Sequence, residues 1–126
     1  MYTISVEDKF SSAHQLRGYK GKCENLHGHN WKVILSVAGN VLDECGMLID
    51  FHELKIILKG VLANLDHTNI NEFGIFKKIN PTTENLAKYI FEEVGKCLIE
   101  KNITNAKVHK VTVYESEGSS CEYINE

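Results

Sequence analysis

The sequence predicts a single α+β domain, an antiparallel four-stranded sheet with two helices on one face, in the order β-β-α-α-β-β. Three observations lead there. Runs of β-forming residues stand at both ends of the chain, two helical stripes lie between them, and no repeat or Pro/Gly-rich linker divides the sequence. A chain of 126 residues supports one core of modest size and no second, so the domain is taken as 1–126.

The N-terminal strand comes first. Thr3-Ile4-Ser5-Val6 alternates polar and apolar residues, as a strand with one buried face should. From Lys9 to Gly28 the periodicity is lost, and Gly18, Gly21 and Gly28 suggest a long loop. Trp31 to Val37 is rich in β-formers and reads as the second strand. Leu54, Ile57, Leu58, Val61 and Leu62 then fall on one helical stripe. Pro81-Thr82-Thr83-Glu84 opens a second helix with a hydroxyl cap and an acid that favours the N-terminal dipole; Leu86, Ile90, Val94 and Leu98 carry it to about Lys101. Val108, Val111, Val113 and Tyr114 mark a third strand, and Cys121 to Ile124 a short fourth. Such a sheet has two edges that something must cover or pair, so oligomerisation through them is expected.

Composition narrows the partners. Hydrophobic residues at 43% and charged residues at 25% are ordinary for a globular protein. A net charge of −3 argues against a nucleic-acid partner, which calls for a basic face. No stretch reaches the roughly 20 apolar residues that span a bilayer, and Met1 to Asp8 lacks the basic and apolar regions of a secretion signal. The four cysteines, Cys23, Cys45, Cys97 and Cys121, show no close pairing and read as reduced thiols in a cytoplasmic protein. A small molecule is the expected partner.

His27-Gly28-His29 is the most informative tripeptide. In an extended chain the two rings project from one face about 6.6 Å apart, close enough for inward-leaning imidazoles to share a metal. His14, where the first strand should end, is the third candidate; an antiparallel neighbour would bring it beside the pair. Three histidines with an open fourth position form the catalytic arrangement for zinc. Cys23, four residues before His27, leaves two alternatives: a closed structural Cys-His₃ site, or a reactive thiolate beside an open His₃ site. Composition and spacing do not separate them. His52 and His109 read as ordinary half-exposed residues. Taken alone, Leu65-Asp66-His67 reads as the end of a helix and Glu115 as a solvent-facing strand residue.

Taken together, these residues and their surroundings resemble a known family. The chain is similar, over nearly its whole length, to the 6-pyruvoyl-tetrahydropterin synthase superfamily, most closely its bacterial 6-carboxy-tetrahydropterin synthase branch. The resemblance runs through Phe10 to His14, Cys23 to His29, Ile49-Asp50-Phe51, Leu65-Asp66-His67, Pro81 to Ala87 and Val113-Tyr114-Glu115. It implies the T-fold, with three units closing a twelve-stranded barrel and two barrels stacking into a homo-hexamer. It places Zn²⁺ on His14, His27 and His29, the catalytic thiol at Cys23, and its partner pair at Asp66 and His67 from a neighbouring subunit. It also implies a pterin anchor at Glu115, with Thr82, Thr83 and Glu84 near the pterin. The implied substrate is 7,8-dihydroneopterin triphosphate.

Spacing bears on the branch. Cys23 precedes His27-Gly28-His29 by three intervening residues, which resembles the 6-carboxy-tetrahydropterin enzymes; pyruvoyl-forming enzymes typically carry five. The expected lyase reaction gives 6-carboxy-tetrahydropterin, acetaldehyde and triphosphate on the way to 7-deazaguanine bases such as queuosine. Glu24 overlays a second signature, resembling the branch that makes 6-hydroxymethyl-dihydropterin for folate, where glutamate replaces the thiol. In the favoured reading Cys23 faces inward and Glu24 is solvated. A zinc-structural or pterin-binding protein without turnover is the alternative of a different class.

Overall fold

A computed structural model describes residues 1–20 and 24–125, and its elements keep the predicted order. They are β1 (Tyr2–His14), β2 (His27–Gly39), α1 (Phe51–Ala63), α2 (Thr83–Glu100), β3 (Lys107–Ser116) and β4 (Ser119–Ile124), with short 3₁₀ turns at Ile70–Glu72 and Gly74–Lys77. The strands form one antiparallel sheet in the order β1-β2-β3-β4.

Alternation decides which face is covered. Val6 and Phe10 of β1, Trp31, Val33, Leu35 and Val37 of β2, and Val111 and Val113 of β3 are all buried. They pack in one core with Leu54, Ile57, Leu58, Val61 and Leu62 of α1 and Leu86, Ile90, Val94 and Leu98 of α2. These are the helix stripes that the sequence predicts. Both helix starts are capped, Asp50 accepting from the His52 amide at 2.8 Å and Thr82 from the Asn85 amide at 3.1 Å.

The loop expected from Lys9 to Gly28 is corrected at both ends. β1 runs on to His14, and β2 begins at His27. Pairing holds the extension, with Phe10 opposite Trp31, Ser12 opposite His29 and His14 opposite His27. The outer edge of β1 is covered there too: the His67 amide donates to the Ser11 carbonyl at 2.6 Å, and the Ala13 amide to the Thr68 carbonyl at 3.0 Å. Inward residues Ser12 and His14 are polar, so the strand carries no hydrophobic signal.

Gly39 ends β2 against the 105 segment. A Cβ there would collide with the Asn105 carbonyl oxygen and lie 2.8 Å from Leu48 Cδ1 and 3.2 Å from the Asn105 carbonyl carbon. Backbone cannot yield as a side-chain tip can, so Gly39→Ala is expected to cost about 1–3 kcal/mol. For a chain of this size that lowers Tm by about 3–6 °C per kcal/mol. Calorimetry checks this; an unchanged midpoint would show that the segment shifts freely.

Candidate active site

The end of the β1–β2 pair builds the site. Because His14 and His27 are opposite each other and His29 lies one pleat further on, all three rings project from the helix-covered face. Trp31, fully buried, forms the floor: its ring meets His14 edge-on at 4.9 Å and His29 at 5.2 Å, and stacks on Phe10 at 5.7 Å. His14 is 1% exposed.

Main-chain carbonyls set the tautomers. His14 Nδ1 lies 2.8 Å from the Pro81 carbonyl oxygen, and His27 Nδ1 lies 2.8 Å from that of Asn25. A carbonyl only accepts, so in the neutral rings both Nδ1 atoms carry the proton and both Nε2 atoms present lone pairs. Those two Nε2 atoms face each other at 3.1 Å, which is unfavourable unless a cation stands between them. His29 Nε2 is buried and, among the described residues, has no hydrogen-bond partner. One nitrogen from each ring lies within 4.8 Å of the others. The cluster therefore fits a metal ion held by three imidazoles. Burial pushes the His14 pKa down, aided by the neighbouring His27 and His29 and opposed by the Pro81 hydrogen bond and Glu115. The neutral, ligating form is thus favoured.

Glu115 stands beside the cluster. It succeeds Val111 and Val113 on the inner face of β3, at the register irregularity between Tyr114 and Ser116, where bulges commonly re-aim a side chain. Its carboxylate oxygens lie 3.8 Å from His29 Nε2 and 4.0 Å from His14 Nε2. The Thr83 hydroxyl, in the first turn of α2, donates to Glu115 Oε2 at 3.3 Å.

A model of the 6-pyruvoyl tetrahydropterin synthase family matches residues 3–126. The chain belongs to that family. A putative 6-carboxy-5,6,7,8-tetrahydropterin synthase of Archaeoglobus fulgidus is 42% identical over 90% of this chain and 88% of its own. The 6-carboxy-5,6,7,8-tetrahydropterin synthase of Haemophilus influenzae is 32% identical over 98% of this chain and 99% of its own. The structure of Caenorhabditis elegans 6-pyruvoyl tetrahydropterin synthase superposes with a TM-score of 0.84 at 30% identity, covering 99% of this chain and 96% of that one. The chain is accordingly an enzyme, a lyase of the tetrahydropterin synthase family, and its sheet and helices are the T-fold.

Within this family member the remaining candidates separate. Asp66 and His67 form a pair, Oδ2 to Nδ1 at 3.0 Å, clamped on the outer edge of β1 where Asp66 Oδ1 accepts from the Ser11 amide at 2.8 Å. The Ser11 amide first, and His67 after it, hold the Asp66 carboxyl below its usual value. The His67 side chain is 82% exposed, and no hydrogen bond or ion pair joins the pair to the three histidines among the described residues. Thr82 is committed to capping α2. Glu84 is exposed in the first turn, without a hydrogen bond or ion pair to the cluster among the described residues. Cys23 lies outside the described residues.

Glu24 differs from its expected solvated place. Its carboxylate accepts from the Leu16 amide at 3.3 Å and lies 3.8 Å from His27 Nε2, with the side chain 29% exposed. The reason is a local pairing: the Glu24 amide donates to the Leu16 carbonyl at 3.1 Å, which turns the side chain towards the histidines. Arg17, a basic residue near this segment, has its guanidinium turned back onto the Ile79 and Phe76 carbonyls. Sequence reasoning missed the Pro81 and Asn25 carbonyls, because a main-chain acceptor leaves no mark in side-chain patterns. It also missed the role of Trp31, which in the sequence reads only as a strand residue. Its place two residues beyond His29, on the same pleat, is the available signal.

Proposed function

We propose that this chain is a zinc-dependent lyase converting 7,8-dihydroneopterin triphosphate and water to 6-carboxy-5,6,7,8-tetrahydropterin, acetaldehyde and triphosphate. It would act in the cytoplasm, early in the route to 7-deazaguanine bases such as queuosine. The observation that carries the reading is the convergence of three imidazole nitrogens, two of them fixed as lone-pair donors, beside the Glu115 carboxylate. The 6-carboxy-tetrahydropterin synthase names of the relatives support the choice of reaction.

His14, His27 and His29 would hold the zinc. When bound, it supplies a Lewis acid that stabilises negative charge on the substrate's side-chain oxygens. The carboxylate of Glu115, steadied by the Thr83 hydroxyl, accepts hydrogen bonds from the pterin's 2-amino and ring N–H edge, a fork that suits two oxygens. Cys23 is assigned the base, since a thiolate lowered in pKa near cationic charge can take a proton from a side-chain carbon. With Asp66 accepting from its Nδ1, His67 keeps Nε2 for proton transfer, and its exposure supports service in a neighbouring subunit's site within a hexamer.

A second reading rests on Glu24. Its carboxylate lies 3.8 Å from His27 Nε2, which supports a part for it in proton transfer and, with the resemblance of its spacing to the folate branch, formation of 6-hydroxymethyl-dihydropterin. Mass spectrometry of the products from dihydroneopterin triphosphate separates the readings. The expected products are 6-carboxy-tetrahydropterin and acetaldehyde; a predominance of 6-hydroxymethyl-dihydropterin would assign the chemistry to Glu24.

A further inference from the structure

The segment after His14 is held by side chains that imitate a strand. The Gln15 amide donates to Asn71 Oδ1 at 2.8 Å, and Asn71 Nδ2 returns a bond to the Gln15 carbonyl at 2.8 Å. Two residues on, the Arg17 amide donates to Asn80 Oδ1 at 2.8 Å, and Asn80 Nδ2 donates to the Arg17 carbonyl at 2.9 Å. Leu16, between them, is paired on the other side with Glu24. Each asparagine thus satisfies both main-chain groups of one residue, as a neighbouring strand would.

Asn80 differs from Asn71 in its link to the metal-binding histidines. Its own carbonyl accepts from Asn85 Nδ2 at 2.9 Å, tying it to the first turn of α2. The next residue is Pro81, whose carbonyl accepts from His14 Nδ1. Thr82 then caps the helix, its carbonyl accepting from the Leu86 amide at 2.9 Å. The Pro81 carbonyl is therefore held from both sides, upstream by the Asn80 clasp and downstream by the helix cap. We infer that Asn80 is a positioning residue for the metal centre: its clasp on Arg17 fixes the Pro81 carbonyl, which in turn fixes the tautomer and aim of His14. Partners of this kind, one step behind the ligands, typically govern metal affinity by about 10–100-fold. The inference rests on the reading of the three histidines as a metal site.

The test measures zinc affinity of the full-length protein by competition with a chromophoric chelator, with the cobalt(II) visible spectrum as a second readout. Asn80→Ala is expected to weaken zinc binding at least about tenfold and to alter the cobalt absorption bands. Asn71→Ala, which removes the same kind of clasp from the same segment, should change affinity less than about threefold, below the range typical of such partners, and leave the bands in place. A general structural role would lower Tm in both variants without separating their metal affinities, and would count against the inference. Should Asn80→Ala fold poorly, Asn80→Asp keeps the acceptor for the Arg17 amide, loses the donor to its carbonyl, and should still weaken zinc binding. Equal zinc affinity in parent and Asn80 variants would overturn the inference while leaving the metal site standing, as would equal weakening in the Asn71 and Asn80 variants. A parent protein that binds neither zinc nor cobalt would instead overturn the metal reading, and the inference with it.

Discussion

Replacing His27 and His29 together with alanine is expected to take bound zinc from about one ion per chain to background, because one imidazole cannot stand in for the three ligands of an open catalytic site. Turnover of dihydroneopterin triphosphate should fall with it. A Lewis acid contributes several kcal/mol of charge stabilisation, and each ~1.4 kcal/mol is a factor of ten, so a loss of about 10³-fold or more is expected. Fold stability should suffer less than at a core position, since the side chain of His27 is 38% and that of His29 23% exposed, while Trp31 beneath them is retained. Elemental analysis and single-turnover assays on the same preparation check both parts. Full zinc occupancy in the double variant would remove the three-histidine centre.

Cys23→Ala is expected to do the opposite to the metal and the same to the chemistry. Three histidines suffice as protein ligands for catalytic zinc, so the ion should stay, whereas loss of a positioned base typically costs about 10²–10⁴-fold in rate. Glu24→Gln is the necessary companion, because the Glu24 carboxylate lies 3.8 Å from His27 Nε2. On the favoured reading it keeps formation of 6-carboxy-tetrahydropterin within a few-fold of the parent. Zinc loss in Cys23→Ala would point to a closed Cys-His₃ centre. Abolition of product by Glu24→Gln alone would move the base to Glu24.

The two outcomes for Glu24 show where sequence patterns stop. Its overlap with the glutamate signature is plain from spacing, but its direction depends on the pairing with Leu16, a contact across eight residues that no periodicity encodes. Helices α1 and α2 are legible because apolar stripes and caps are local. The three metal-binding candidates are legible because His-Gly-His places two imidazoles on one pleat. The far end of β1 is not: Ser12 and His14 take the inward positions that Val6 and Phe10 take earlier. Hydrophobic alternation fails where a strand turns from filling a core to lining a site. The mirrored run on β2, His27, His29 and then Trp31, is the cue that strand pairing continues. The Asn71 and Asn80 clasps join residues 56 and 63 positions apart, and asparagine in a loop gives no sign of such a role.

The meander order also orders events in time. All three histidines belong to the β1–β2 pair, joined by residues 15–26, whereas β3 reaches β2 only after both helices intervene. Loop-closure entropy rises with the length enclosed, so contacts near in sequence form ahead of distant ones. On that basis the β1–β2 pairing that joins the three histidines is expected to form ahead of the contacts from Pro81 and Glu115. During synthesis His14, His27 and His29 emerge before Pro81 and Glu115, so an unfinished chain is expected to hold a metal ion less tightly than the folded domain, whose Pro81 carbonyl fixes the His14 ring.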